Sequence, residues 1–280
     1  MPPEPGAWGT DAPEAEPQVD VLVPTFGRPA ALAITLAGLA AQQYVRLRVI
    51  VSSQDHSDFT SEVQAIAGVL RAQDRIVELG HHLPRRGLAE HRQSLLDRVR
   101  APYALFVDDD VVLEPDLVGR LVAAIERERC GFVGSALLGW SFVDDVRPDE
   151  ERIELWDGPV KPERVTPGGA GWQRHRLHNA SNLLHVARRL DVPRWPPRLY
   201  KVAWVGGCVL YDAAALRDAG GFEFWRDLPA SHVGEDVLAQ LRVMARAGGA
   251  GLIPSGAWHL ELPTTVRDRT VDAPLALSID

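Results

Sequence analysis

The feature that most restricts the fold of this chain is an alternation. Between residues 18 and 107, short apolar runs rich in β-branched residues take turns with longer stretches rich in Ala and Leu. "QVDVLVP" predicts a strand and "RPAALAITLAGLAAQQ" a helix with Pro29 near its start; "VRLRVIVSS" and "TSEVQAIAGVLRAQ" repeat the pair. "RIVEL" predicts a third strand, "GLAEHRQSLLDRVR" a third helix and "YALFV" a fourth strand. This βαβαβαβ order implies a parallel sheet, because each helical crossover returns the chain to the same end, and helices then cover both faces. The expected class is α/β, with a Rossmann-like, mostly parallel central sheet. Ligands bind such sheets at the carboxyl ends of the strands. Three polar segments fall there: "PTFGR" after the first strand, "SSQDHSD" after the second and "DDD" after the fourth.

The last of these poses a physical problem. Asp108, Asp109 and Asp110 directly follow an apolar strand. Neighbouring carboxylates raise each other's pKa unless a positive charge stands between them. A divalent cation meets that need; an acidic loop without a ligand is the plain alternative. The net charge of −8 and the lack of a basic stripe exclude nucleic acid as a general partner. With that balance, an anionic substrate needs a local cation.

With 280 residues and 46% hydrophobic content, the chain can build one large α/β domain or two small ones. Residues 1–17 hold five prolines and four acids but no Lys or Arg, so they read as a disordered tail rather than a leader peptide. No apolar run reaches the roughly 18 residues of a membrane span. Cys130 and Cys208 lack metal or redox spacing and read as buried thiols of a reducing compartment, so a cytoplasmic location is expected.

After Leu138 the pattern breaks until about Tyr200, and six of the eight tryptophans lie between Trp140 and Trp225. The Gly-rich "PGGAGW" has no strand before it or helix after it, so it reads as a flexible lid and not a phosphate loop. The tryptophans around it suit either sugar stacking or core packing. Regular order returns with "VAWVGGCVLY", a helix near "DAAALRDAGG", the amphipathic helix "GEDVLAQLRVMARAGG" stopped by Gly248, and a closing strand "AGLIP" leading to Trp258-His259. From about Thr264 there is no clear periodicity, and residues 264–280 read as a loose C-terminal arm.

Several segments, each weak alone, stand in one order: Pro24-Thr25-Phe26-Gly27-Arg28, then Gly87-Leu88-Ala89-Glu90-His91-Arg92-Gln93, then Asp108-Asp109-Asp110 as an Asp-x-Asp (DXD) signature. Gly206-Gly207, Gly220-Gly221-Phe222 and Glu235-Asp236 follow. In this order they resemble family 2 glycosyltransferases of the GT-A fold, from about Val19 to His259. The resemblance implies one such domain over residues 18–263, with a nucleotide-binding part at about 18–137 and an acceptor-side part at about 138–263. It also implies Mn²⁺ or Mg²⁺ as cofactor, stabilising the diphosphate that leaves when the anomeric C–O bond breaks. The partners implied are a UDP- or other nucleotide-diphosphate sugar and an unidentified hydroxyl acceptor, with a homodimer as an allowed assembly.

By the family pattern, Asp110 is the metal ligand. Asp108 faces the ribose or reaches the metal through water, and Asp109 points the other way. His259 completes the metal site, or is a half-buried histidine beside Trp258; imidazole suits Mn²⁺ better than Mg²⁺. Asp236 is the general base of an inverting reaction, and Glu235 positions the acceptor or holds the loop; helix capping is the plain alternative for both. Asp55 reads the base, although Ser52 and Ser53 occupy the places where the family carries acids. Arg92 lies below the nucleotide and pairs with Asp108 or the base, or else forms a surface salt bridge. Pro24, Thr25 and Arg28 line the nucleotide end of the sheet, and Trp204, Gly206 and Gly207 lie toward the donor sugar and acceptor. His81-His82 and Arg85-Arg86 read as a solvated connection. A retaining GT-A transferase shares the fold and metal site. A nucleotidyltransferase would carry a Gly-rich basic loop after the first strand, which "PTFGRPA" lacks, and a non-catalytic sugar-nucleotide-binding module would tolerate loss of these residues.

Overall fold

The computed structural model describes residues 16–279. The tail expected at residues 1–17 lies, apart from its last two residues, outside the described residues. The predicted alternation is present: β1 (Val19–Thr25), α1 (Pro29–Ala40), β2 (Leu47–Ser53), α2 (Ser61–Ala72), β3 (Ile76–His81), α3 (Leu88–Leu96) and β4 (Tyr103–Val107). β5 (Val111–Leu113), α4 (Leu117–Glu128), β6 (Phe132–Gly134) and β7 (Leu137–Gly139) follow. The irregular middle contains only short turns of 3-10 helix, α5 (Asn182–Arg189) and β8 (Arg198–Tyr200). β9 (Cys208–Asp212), α6 (Ala213–Asp218), α7 (Glu235–Ala247), β10 (Gly249–Ile253), β11 (Ala257–His259) and α8 (Ala273–Ala276) complete the chain.

The central sheet runs β3-β2-β1-β4-β9-β6-β10-β8. β3, β2, β1 and β4 are parallel, as the crossovers require, and β10 is parallel to β6. Its side chains alternate between two cores. Val19, Val21 and Val23 pack with α1, α2 and α4, while Leu22 and Phe106 pack with α3, α6 and α7. The sheet is nonetheless not purely parallel, for β9 lies antiparallel between β4 and β6. The long segment after β7 delivers the chain at the carboxyl end of β4, so β9 can only run downward. Within "VAWVGGCVLY", where regular order is expected to return, the strand begins only at Cys208 and runs to Asp212. Gly207 sits at φ +73°, a left-handed conformation that glycine adopts without strain, and its carbonyl accepts the Asp108 N–H at 2.9 Å.

A second sheet, β5-β11-β7, places the far-apart site segments side by side. Val111 pairs with His259 across β5 and β11, and the Leu260 N–H donates to the Asp110 carbonyl. Thr35 of α1 fixes the start of β5 by accepting the Val111 N–H at 3.1 Å. The C-terminal arm is not loose. Val233 pairs with Asp272 and exchanges backbone hydrogen bonds with Val271 and Ala273, and Ala273 and Ile279 are buried against α7 and its surroundings. Its apolar anchors are too few and too widely spaced to register as a period.

Candidate active site

The carboxyl ends of β1, β2 and β4 open into a cleft of about 950 Å³. Pro24, Thr25 and Arg28 line it, as do Arg92, the three aspartates and His259. Further parts of its wall come from Phe26, Gln54 and Arg85, from His91 of α3, from Ala230–His232, and from Leu262 and residues 264–268 of the arm.

The aspartates diverge because a turn separates β4 from β5. Asp109 faces β1 rather than leaving the site: its Oδ2 accepts the Thr25 hydroxyl at 2.7 Å, and its Oδ1 accepts Arg28 Nη1 at 3.3 Å. Burial pushes Asp109 up to about 6, opposed by Thr25 and Arg28. The same Arg28 nitrogen donates to Asp110 at 2.7 Å, and Arg28 also donates to the Pro263 carbonyl of the arm. His259 Nε2 stands 3.3 Å from Asp110 Oδ2. That hydrogen bond raises the His259 pKa against the effect of burial. Burial alone would raise Asp110, yet its pKa is lowered because His259 and Arg28 outweigh it.

Asp108 turns to the other side. Arg92, nearly buried on α3, donates to Asp108 at 2.9 Å and to Glu235 at 3.0 Å. Burial works against its charge, but Asp108, Glu235 and Asp236 together raise its pKa. The surface-salt-bridge alternative for Arg92 is therefore excluded. Gly234, at φ +75°, turns the chain into α7 so that buried Glu235 meets Arg92. Asp236 is half-buried; burial first and Glu235 second push it up to about 7, while Arg92 pulls it down. His232 sets this segment against α3, accepting the Ala89 N–H at 3.1 Å while its other ring nitrogen donates to the Pro229 carbonyl. Gly87 makes room, since a Cβ there would lie 2.6 Å from the His232 ring.

The expected metal set of Asp108, Asp110 and His259 does not converge. Among the described residues, no group of three or more His, Cys, Asp or Glu side chains could hold a metal ion. Asp110 and His259 do stand together at the cleft. A carboxylate and an imidazole fit an ion such as Mn²⁺ that takes its remaining oxygens from phosphate and water.

Asp55 is committed to its own turn, its Oδ1 accepting both the N–H and hydroxyl of Ser57, and it does not line the cleft. Gln54 lines it instead, 6% exposed, with its side-chain nitrogen unpartnered. Trp204 also stays out of the cleft lining, packed between Trp172 and His175 with ring centroids 4.6 and 4.8 Å away. Gly206 and Gly207 do not line it either; Gly207 abuts Asp108 from behind, its carbonyl accepting the Asp108 N–H. Sequence reasoning missed Arg85, whose guanidinium lies 3.4 Å over the Phe26 ring at the cleft wall, and the closing arm. It also missed Asp58, the second acid of "SSQDHSD". Fully buried, Asp58 accepts the Gly27 and Arg28 N–H groups at 3.1 and 3.0 Å and the Ser53 hydroxyl at 2.6 Å. Asp58→Ala is expected to lower stability by about 2–3 kcal/mol, the range for hydrogen bonds to a buried charge. Urea denaturation would measure it, and a loss below about 0.5 kcal/mol, as at an ordinary surface site, would contradict the role.

Against known proteins, residues 20–180 match the family described as Glycosyl transferase family 2. Over 116 residues the chain is 28% identical to the GalNAc(5)-diNAcBac-PP-undecaprenol beta-1,3-glucosyltransferase of Campylobacter jejuni; the match covers 41% of this chain and 36% of that protein. Among solved structures, S. aureus TarS 1–349 in complex with UDP-GlcNAc superposes with a TM-score of 0.55 at 15% identity, over 89% of this chain and 60% of that one. Mannosyltransferase PcManGT from Pyrobaculum calidifontis, in complex with GDP-Man and Mn²⁺, gives 0.55 at 16% identity, over 90% and 59%. The chain thus spans about a third of the curated relative and under two thirds of these structures.

Proposed function

Since the chain belongs to glycosyl transferase family 2, we propose that it moves a sugar from a nucleotide-diphosphate sugar to an acceptor hydroxyl, with a divalent cation and inversion at the anomeric carbon. One observation carries this reading. A single cleft is lined by the Asp110–His259 pair and by Asp108 with Arg92. Behind its lining Arg92 continues to buried Glu235, next to Asp236, a carboxylate with a raised pKa, and neither Glu235 nor Asp236 lines the cleft. The sugar nucleotides and Mn²⁺ bound by the structural neighbours support the same class of donor and cofactor.

The β1 turn and Gln54 would hold the nucleoside, with Asp58 keeping that turn rigid. Asp110 and His259 would hold the cation, which when bound supplies positive charge to the departing diphosphate. Asp108, fixed by Arg92, would face the donor. Asp236 would take the proton from the attacking acceptor hydroxyl, and Glu235 would keep the α7 terminus in place through Arg92. Among the described residues no helix is long and apolar enough to cross a membrane. Cys130 and Cys208 are free and buried, which pushes both thiols up to about 12. Unpaired thiols suit a reducing compartment, and we place the enzyme in the cytoplasm.

The test is thermal stability with nucleoside diphosphates, with and without Mn²⁺. A ligand bound only by the folded state stabilises it by about 2.7 kcal/mol at a hundredfold excess over Kd. A shift that needs both components is expected, and Asp110→Ala should remove it while keeping the fold. An unchanged metal-dependent shift in that variant would overturn the cation assignment. The pH profile gives a further expectation. Only ionised Asp236 can accept a proton, so kcat/KM should rise with pH through about 7 and level off above it. A flat profile from pH 5 to 8 would contradict Asp236 as base.

A further inference from the structure

One guanidinium, that of Arg28, touches two parts of the molecule that the roles above treat separately. Its Nη1 donates to Asp110 Oδ2 at 2.7 Å and to Asp109 Oδ1 at 3.3 Å, while its Nη2 donates to the Pro263 carbonyl. Asp110 Oδ2 is the oxygen that faces His259 Nε2, so it is the one that an ion shared by this pair would take. Pro263 leads directly into residues 264–268, which wall the cleft.

This stretch of the arm is otherwise lightly held. Glu261 accepts the Ser141 N–H at 3.2 Å, and the Asp268 carbonyl accepts the Ser231 hydroxyl at 3.2 Å. Between these anchors, among the described residues, the Arg28 bond to Pro263 is the only hydrogen bond from residues 262–267 to the rest of the protein. The bonds between Thr264 and Val266 are internal to the stretch. Arg28 itself sits just ahead of α1, with its backbone N–H held by Asp58 at 3.0 Å. Its guanidinium can swing, but the backbone that carries it is anchored.

We propose that Arg28 is a latch through which a cation on Asp110 and the closed arm exclude each other. A guanidinium and a divalent ion on one carboxylate oxygen repel across a few ångströms, where Coulomb forces are strong. A cation that takes Asp110 Oδ2 therefore removes the shorter of the two carboxylate bonds that aim Arg28 at Pro263, and the arm is untied. The coupling is reciprocal: if the cation weakens the tie, loss of the tie strengthens cation binding by the same factor. The cleft wall then loosens once the cation is in place, which orders cation before donor. This inference rests on the cation site of the transferase reading, but its test needs neither donor nor turnover.

The probe is Mn²⁺ alone, and the readout is trypsin cleavage after Arg267 and Arg269, both exposed on the arm. Such cleavage tracks local opening. In the wild type, Mn²⁺ should speed it about tenfold, within the usual range of coupling between sites. Arg28→Met should be cut at the faster rate with or without Mn²⁺. It should also bind Mn²⁺ about tenfold more tightly, as read from the EPR signal of the free ion. Bound Mn²⁺ that leaves wild-type cleavage unchanged or slows it overturns the latch and leaves the transferase reading standing. So does cleavage of Arg28→Met that still depends on Mn²⁺. Failure of Mn²⁺ to bind either protein overturns the latch and the cation assignment together. The wild-type comparison involves no substitution, so it decides the matter whatever the stability of the variant.

Discussion

Asp236→Asn is expected to lower the transfer rate by about 10²–10⁴-fold, the range that a positioned general base contributes. The amide keeps the shape of the side chain but cannot take a proton at neutral pH. Nucleotide binding should barely change, since the groups proposed to face the donor and its cation are Asp108, Asp110 and His259, whose ion pairs run to Arg92, to Arg28 and to each other rather than to Asp236. Stability offers a second readout with a defined sign. The folded-state pKa of Asp236 is raised from 3.8 to about 7, chiefly by burial. The protonated form is therefore favoured in the folded state, and that contribution fades as pH rises through about 7. Asn carries no such charge, so the variant should be at least as stable as wild type at pH 8. A variant that instead loses stability and nucleotide binding together would mark Asp236 as a structural cap.

Arg92→Met is expected to cost about 3–5 kcal/mol of stability, the usual penalty for removing one partner of a buried ion pair. The larger share belongs to Glu235, which is buried; Asp108, with a side chain 37% exposed, is partly screened by solvent. Glu235→Gln in the same chain should restore part of the loss, because no unpaired buried charge then remains. Loss of Arg92 also removes the cation that lowers the Asp236 pKa, so the acid side of the rate profile should move to higher pH. Urea denaturation of the single and double variants checks the first expectation. A single-variant loss under about 1 kcal/mol would show that the network behaves as a surface pair.

The first half of the fold was legible because helix and strand periods differ, and each crossover obeys one handedness rule. The lining of the candidate cleft was legible where residues stand close to their own strand ends. The Asp108–Asp110 triplet, Thr25 and Arg28 fall where the parallel strands end. His259 could be paired with Asp110 only through a family resemblance, since 149 residues separate them and β11 alone unites them. Asp55 and Asp58 show the opposite case. Both lie in one polar turn, and composition cannot say which points inward; Ser57 captures Asp55, while the N-terminus of α1 captures Asp58. Trp204 and Trp140 make the same point for aromatic residues, one packed between rings and the other left open. The C-terminal arm was invisible because it is held by a few backbone bonds around Val233, which leave no side-chain pattern.

The most direct measurement is the anomeric configuration of the product, read by NMR after transfer from an α-linked nucleotide-diphosphate sugar. One base assisting an in-line attack opposite the leaving diphosphate inverts the centre, so a β-linked product is predicted. An α-linked product would contradict Asp236 as the base of a single displacement and assign the cleft to a retaining transferase.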